Sequence, residues 1–223
     1  MKLKTLLSAI TFVMLLVSCA TKVPLSETFY NDKKVGILVK VDSINRFKSG
    51  SQGLLDMAIS SGSKYKEALQ SIGNQVNPRQ VFENVITEKL QEKSKSFYLI
   101  EDFIDFKAFQ KFDKPNTENK IKFYDRDLRS LKQKYDIDEL IIVQVRYGLT
   151  ISYYGMIETG KGGSTNIDID VLDLNDNSIL LRDKLVELEV FKGKWDKPPY
   201  YTELKDNIEK TVIRSSDNLK TKF

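Results

Sequence analysis

Histidine is absent from this 223-residue chain, and cysteine occurs once, at Cys19. Without histidine, neither a Ser-His-Asp triad nor a Cys-His pair can be assembled. Zinc sites built on His or several Cys, His-ligated haem and iron–sulfur clusters are excluded with them. A single cysteine cannot close a disulfide within the chain, so an oxidising compartment would add no crosslink. Carboxylate, lysine and tyrosine chemistry remain, or no chemistry at all, and no cofactor or metal is expected. A dominant charge is missing too: 35 Lys and Arg against 31 Asp and Glu leave a net +4. The two signs are interleaved, so the chain lacks the basic footprint of a nucleic-acid binder. Internal repeats and low-complexity tracts are also absent.

The N-terminus carries the strongest signal that is present. Met1-Lys2-Leu3-Lys4 makes a short cationic start, and Leu6 to Val17 is apolar except for Ser8 and Thr11. As a helix that run would measure about 18 Å, too short for a hydrocarbon core of about 30 Å. A charged start, a short apolar run and a small residue before a cut are the marks of an export signal. Leu16-Val17-Ser18-Cys19 resembles the lipobox of bacterial lipoproteins. The resemblance implies lipid on the Cys19 sulfur, cleavage of the preceding peptide bond, and acylation of the new amine by a chain such as palmitate. An ordinary secretory signal, with Cys19 near the cut by chance, is the alternative. Two or three acyl chains at about 0.8 kcal/mol per buried methylene anchor stably. The second residue of the processed chain would be Ala20 and not Asp, which by analogy with enteric lipoproteins favours the outer membrane, on either its periplasmic or its surface side.

Residues 1–18 therefore read as a signal peptide, 19–34 as a polar tether with Pro24, and 35–223 as a single domain. An apolar fraction of 41% supports a real core in that domain. Val35 to Val41 is β-branched and suits a buried strand. Lys48 to Gly53 reads as a loop, and Tyr65, Leu69 and Ile72 fall at helical spacing. Asn77-Pro78-Arg79-Gln80 is a helix start, with a capping side chain, Pro in the first turn and Gln three residues on. Val81, Phe82, Val85, Ile86 and Leu90 then supply its buried face. Phe97 to Ile100 predicts a strand. Phe103, Phe106, Phe109 and Phe112 recur every third residue, as one helix face would. Leu128, Leu131 and Tyr135 mark a helix before a central strand from Glu139 to Tyr147. After two glycine-containing loops, Ile167 to Leu174 and Ile179 to Glu189 form a hairpin about Asn175–Ser178. Leu204, Ile208, Val212 and Leu219 predict a C-terminal amphipathic helix. Early strands separated by helices and late ones by turns predict an α/β (α+β) fold: a mixed sheet with helices packed on it, ending in an antiparallel hairpin and a helix.

This order, with the Phe97-Tyr98-Leu99-Ile100-Glu101 strand and the Asp138 to Val143 run, is similar to the CsgG/LpoB-like group of envelope lipoproteins. The resemblance covers most of residues 35–220 in order of elements and carries no diagnostic motif. It implies a lipidated α/β domain that assembles with envelope partners, as a secretion pore or as an activator of cell-wall synthases. The chain departs from the group in a long insertion, Gly50–Gly73, and in lacking a clear pair of amphipathic membrane-crossing hairpins.

Several short segments invite a sharper reading. Gly155 to Lys161 spells the first seven letters of a phosphate-binding P-loop, but Gly162 stands where a magnesium-binding hydroxyl is needed and a strand follows, so a loop is expected. Asp173 to Asn177 opens like a calcium loop, yet Ser178 and Lys184 replace its Gly and Glu, so a hairpin turn is expected. Asp168 and Asp170 share one strand face, as a cation site, an acid–base pair or a solvated face would. Trp195, Tyr200 and Tyr201 beside Pro198 and Pro199 suit a rigid partner contact; Trp195 and one Tyr closing over the core is the other reading. Leu54 and Leu55, in the Leu54–Ile59 cluster, fit a partner or membrane contact or a lid. The sequence thus predicts a lipid-anchored, non-catalytic cell-envelope interaction module. Its partners are the membrane, through Cys19, and an envelope protein, with oligomerisation open. The alternatives are a subunit of an oligomeric outer-membrane pore, inserting Gly148–Thr165, and a glycan hydrolase with two carboxylates about 5–9.5 Å apart.

Overall fold

The β-branched run Val35–Val41 (β1) lies parallel to Glu139–Tyr154 (β4), from Val35 opposite Glu139 to Val41 opposite Val145. The computed structural model describes residues 22–51, 65–115, 121–198 and 201–223. Both strands are apolar on both sides because both of their faces are covered here. Val35, Ile37, Val39, Ile141, Val143 and Val145 enter one core, and Leu38, Leu140 and Ile142 enter a second on the opposite face.

Asn45–Ser51 (β2) continues beyond β1 along the same edge of β4, and Phe97–Leu99 (β3) pairs with the outer edge of β1. Ile157–Asp173 (β5) and Ser178–Val190 (β6) follow antiparallel, giving the order β3-β1-β4-β5-β6. Four residues separate Val41 from Asn45, whereas their partners Val145 and Gly148 are three apart. One extra residue therefore bulges between β1 and β2. Gly148 takes φ +145° there, and a Cβ would stand 2.0 Å from the Asn45 carbonyl oxygen. Polar β2 replaces the start of the expected Lys48–Gly53 loop, because backbone pairing with β4 holds a segment whose side chains carry no strand signal.

The two glycine-containing loops expected after Tyr147 are also strand. β4 runs on to Tyr154, turns at Gly155 (φ +58°), and returns from Ile157. Leu149, Ile151 and Tyr153 are buried, so Gly148–Thr165 belongs to the main sheet and its core.

Lys66–Gly73 (α1), Pro78–Glu92 (α2) and Thr202–Lys220 (α4) contribute to the first core. α2 begins as its sequence predicts, with the Asn77 side chain accepting from the Gln80 amide and Pro78 in the first turn. α4 buries Leu204, Ile208, Val212 and Leu219 in helical register. Its backbone approaches β5 so closely that a Cβ on Gly163 would stand 2.7 Å from the Asn207 carbonyl carbon. Ser130–Tyr135 (α3), with Ile100, Ile104, Phe106, Phe109, Tyr124 and Leu128 ahead of it in the chain, covers the second core. Phe103, Phe106, Phe109 and Phe112 form no helix face. Only Phe106–Ala108 makes a 3-10 turn; Phe106 and Phe109 pack on the second core, Phe112 packs on Phe123, and Phe103 is 85% exposed. A three-residue spacing served separate packing sites instead of one stripe.

Residues 22–34, expected as part of a tether, are fastened to the domain. Val23 exchanges two backbone hydrogen bonds with Arg182 on the outer edge of β6, and the Ser26 amide donates to the Leu180 carbonyl. Ser26 caps a 3-10 turn, Glu27–Tyr30, whose Phe29 is fully buried against Phe223. Fold class, closing hairpin and final helix agree with the sequence.

Candidate functional site

Among the described residues, part of one sheet face has no element packed on it. The second core spans only the half of the sheet nearest Glu139, so the upper half of that face, toward the β4–β5 turn, is crossed by no element among the described residues. Its floor is small: Gly148 and Thr150 on β4 pair with Ser164 and Gly162 on β5, and Thr150 and Ser164 share a 2.6 Å hydrogen bond. A groove of about 380 Å³ lies over it, bounded by Phe47 and Leu188.

β6 supplies the outer wall in an unusual orientation. Val186, Leu188 and Val190 alternate with Glu187 and Glu189, a pattern that reads as apolar side inward. The structure reverses it. Val186, Leu188 and Val190 are 60%, 46% and 57% exposed on the uncovered face. Glu187 and Glu189 turn toward α4, where Arg214 meets Glu187 at 3.4 Å and Glu189 at 2.9 Å and Asn218 donates to Glu187. Register explains the reversal. Glu187 pairs with Thr165, which is hydrogen-bonded to Thr211 of α4, while Leu188 pairs with Ser164, which lies on the opposite side of the sheet. At the hairpin tip, Tyr154 and Ile157 pair with each other and, with Met156, are 75%, 66% and 63% exposed.

Below this row lies a ladder of charge. Asp168 is held by Arg146 and by Lys184 at 3.4 Å. Asp170 is held by Arg182, whose guanidinium also lies over the Tyr124 ring. Burial pushes the Asp170 carboxyl up, partly offset by Arg182. Burial, with the charge of Asp170, pushes Tyr124 up to about 12. The two aspartates thus share a face as predicted, and each is engaged by an arginine. Among the described residues no group of three acidic, His or Cys side chains is placed to hold a metal ion.

Gly155–Lys161 forms the turn and start of β5, with Lys161 paired to Glu158 at 2.6 Å and no helix to receive phosphate. Asp173–Asn177 is the predicted hairpin turn. Asp173 accepts from Lys33 and from the Asn175 amide, while Asn177 (φ +66°) binds Leu128, Tyr124 and Arg126 with its side chain. Trp195 is 8% exposed, stacked on Phe191 and tilted against Tyr65. Tyr201 is 7% exposed and reaches Glu67. The loop they brace presents Lys192, Lys194 and Lys197 beside a groove of about 500 Å³, and Glu203 ties down the Lys192 and Gly193 amides. Cys19, Leu54, Leu55 and Tyr200 lie outside the described residues.

No family model and no curated protein matches the chain. Among solved structures it is similar to lipoprotein GNA1162 from Neisseria meningitidis, with 14% identity, TM-score 0.28, 82% of this chain and 99% of that one. A PelC dodecamer from Paraburkholderia phytofirmans gives 8% identity and TM-score 0.33 over 86% and 92%. The C-terminal domain of LpoB from Escherichia coli gives 13% and 0.19 over 81% and 94%. These neighbours include bacterial lipoproteins, but their TM-scores place the chain in no family, and its functional reading is carried by its own residues.

Proposed function

We propose that this chain is a lipid-anchored protein of the bacterial cell envelope that acts through contact and not through catalysis. The observation that carries the reading is the position of Cys19: the sole cysteine ends a lipobox-like sequence behind a short apolar leader, four residues before a strand-paired Val23. Among the described residues no helix is long and apolar enough to cross a membrane. Two features of the domain support a contact role. Histidine is absent, and the paired aspartates of the uncovered face are neutralised by arginines and a lysine. The protein partner meets the loop braced by Trp195 and Tyr201, whose rings stiffen it from beneath while Lys192, Lys194 and Lys197 face outward.

Cys19→Ser tests the anchor: the chain should pass from the membrane to the soluble fraction, and the native protein should carry acyl mass on residue 19. Lysine-directed crosslinking in intact cells tests the contact. A defined adduct with one envelope protein, lost when Lys192, Lys194 and Lys197 are changed to glutamate, is expected; an adduct pattern unchanged by those substitutions would refute the loop as the partner surface.

A further inference from the structure

The outward apolar row of β6 and the exposed hairpin tip lie on one face, and the anchoring chain enters the fold beside them. Val23 pairs antiparallel with Arg182, and the following Ser26 pairs with Leu180, so the chain comes in from the side of Lys184. Lys22 is still tied down, 3.1 Å from Asp183. Four residues separate Val23 from Cys19, and an extended chain of four spans at most about 14 Å. Along a strand that length covers about four residues, from Arg182 to Val186. A lipid on Cys19 can thus reach the first exposed aliphatic of the row.

We infer that the uncovered upper face of the sheet, led by Val186, Leu188 and Val190 and ending at Tyr154, Met156 and Ile157, rests on the lipid surface that holds the anchor. The inference deepens the anchored reading and depends on it. Two observations favour lipid as the occupant. The row is charge-free because its intervening glutamates are turned away and paired with Arg214. Aromatic Tyr154 stands exposed at the tip, as interfacial residues do. The sheet would then meet the bilayer by its β6 edge and hairpin tip, leaving its opposite end facing away.

The chemistry of the chain supplies a clean test. With Cys19 acylated, a cysteine introduced elsewhere is the only free thiol. Full-length lipidated protein carrying Leu188→Cys, Ile157→Cys or Glu92→Cys is labelled with a fluorophore. It is then placed on vesicles of phosphatidylethanolamine and phosphatidylglycerol with brominated acyl chains. Glu92 is exposed and lies at the other end of the sheet, where α2 leads back to the start of β1. Quenching several-fold greater at positions 188 and 157 than at 92 is expected. Equal, weak quenching at all three positions on floating protein would overturn the inference while leaving the anchor standing. Disulfide pairing of two Leu188→Cys copies without lipid quenching would also overturn it, assigning the face to a second copy. Protein that fails to float and shows a reactive Cys19 thiol would refute the anchored reading itself, and this inference with it.

Discussion

Lys95 and Glu139 are the most deeply buried ion pair among the described residues, each side chain 1% exposed and their charged atoms 2.8 Å apart. Lys95 also reaches the carbonyls of Asn31 and Lys33 and sits over the Phe29 ring, whereas Glu139 Oε2 lacks a well-directed hydrogen bond. Burial pushes the Glu139 carboxyl up, against the pull of Lys95. Such a pair costs more to break than to omit. Lys95→Met alone should destabilise by about 3–5 kcal/mol, while Lys95→Met with Glu139→Leu should come close to the parent. Denaturant melts of the parent, the single and the double variant read the difference directly. Asn177 is the other residue whose loss should be felt. It is fully buried at positive φ, and its side-chain amide accepts from the Leu128 amide and donates to the Tyr124 and Arg126 carbonyls. Asn177→Ala should cost at least about 2 kcal/mol, since buried backbone groups left unpaired cost about 1–3 kcal/mol each. Thermal unfolding would show it as a lowered midpoint, and Asn177→Gly, which relieves the backbone strain but not the lost bonds, should recover little.

At the scale of elements, α4 and β5 meet at a close seam. Gly163 admits the helix backbone where any Cβ would collide, so Gly163→Ala should destabilise by about 1–3 kcal/mol through displacement of α4. Gly160→Ala, whose nearest neighbour would be the Ser152 side chain at 3.9 Å, should be close to neutral by the same melt. Elements with a periodic pattern of their own were legible in the sequence: β1, capped α2, the core of β4, the Asn175–Ser178 turn and α4. Those held by a neighbour were not. β2 has the composition of a loop and is a strand because β4 offers it an edge. The glycine-rich 148–165 stretch is a hairpin because its alternate residues reach the core. The candidate surface was spelled out in Val186-Glu187-Leu188-Glu189-Val190, but alternation gives a period and no sign. Only the position of Arg214 and Thr211 on α4 decides that the glutamates face inward.

For the molecule as a whole, acid is the vulnerable side. Asp183 ties the segment before β1 to the one after α4, taking Lys22 at 3.1 Å and Lys222 at 2.8 Å. Burial works to raise its carboxyl, but hydrogen bonds from Lys222, the Lys184 amide and Lys22 outweigh it and hold it below the ordinary 3.8. Asp173 is held low in the same way, with Lys33 and Asn175 overcoming burial. Carboxyls lowered in the folded state bind fewer protons than in the unfolded chain, so stability rises with pH through this range. Their contribution is complete above the unfolded value of about 3.8 and is lost as pH falls through the lowered folded values. Asp183→Asn should therefore flatten the acid limb of a stability–pH curve, and unfolding between about pH 5 and 2 checks it. The pairing of β1 with β4 bridges roughly a hundred residues, whereas the strands from β4 to β6 are joined by short turns. Closing so long a loop is slow compared with zipping a hairpin. In pulsed hydrogen exchange during refolding, amides of Ile169 and Val171 should become protected before those of Ile37 and Val39. A polypeptide delivered through a membrane from its amino end would then lack the long partner of its first strand until roughly two-thirds of it had crossed, and so would stay threadable for most of the passage.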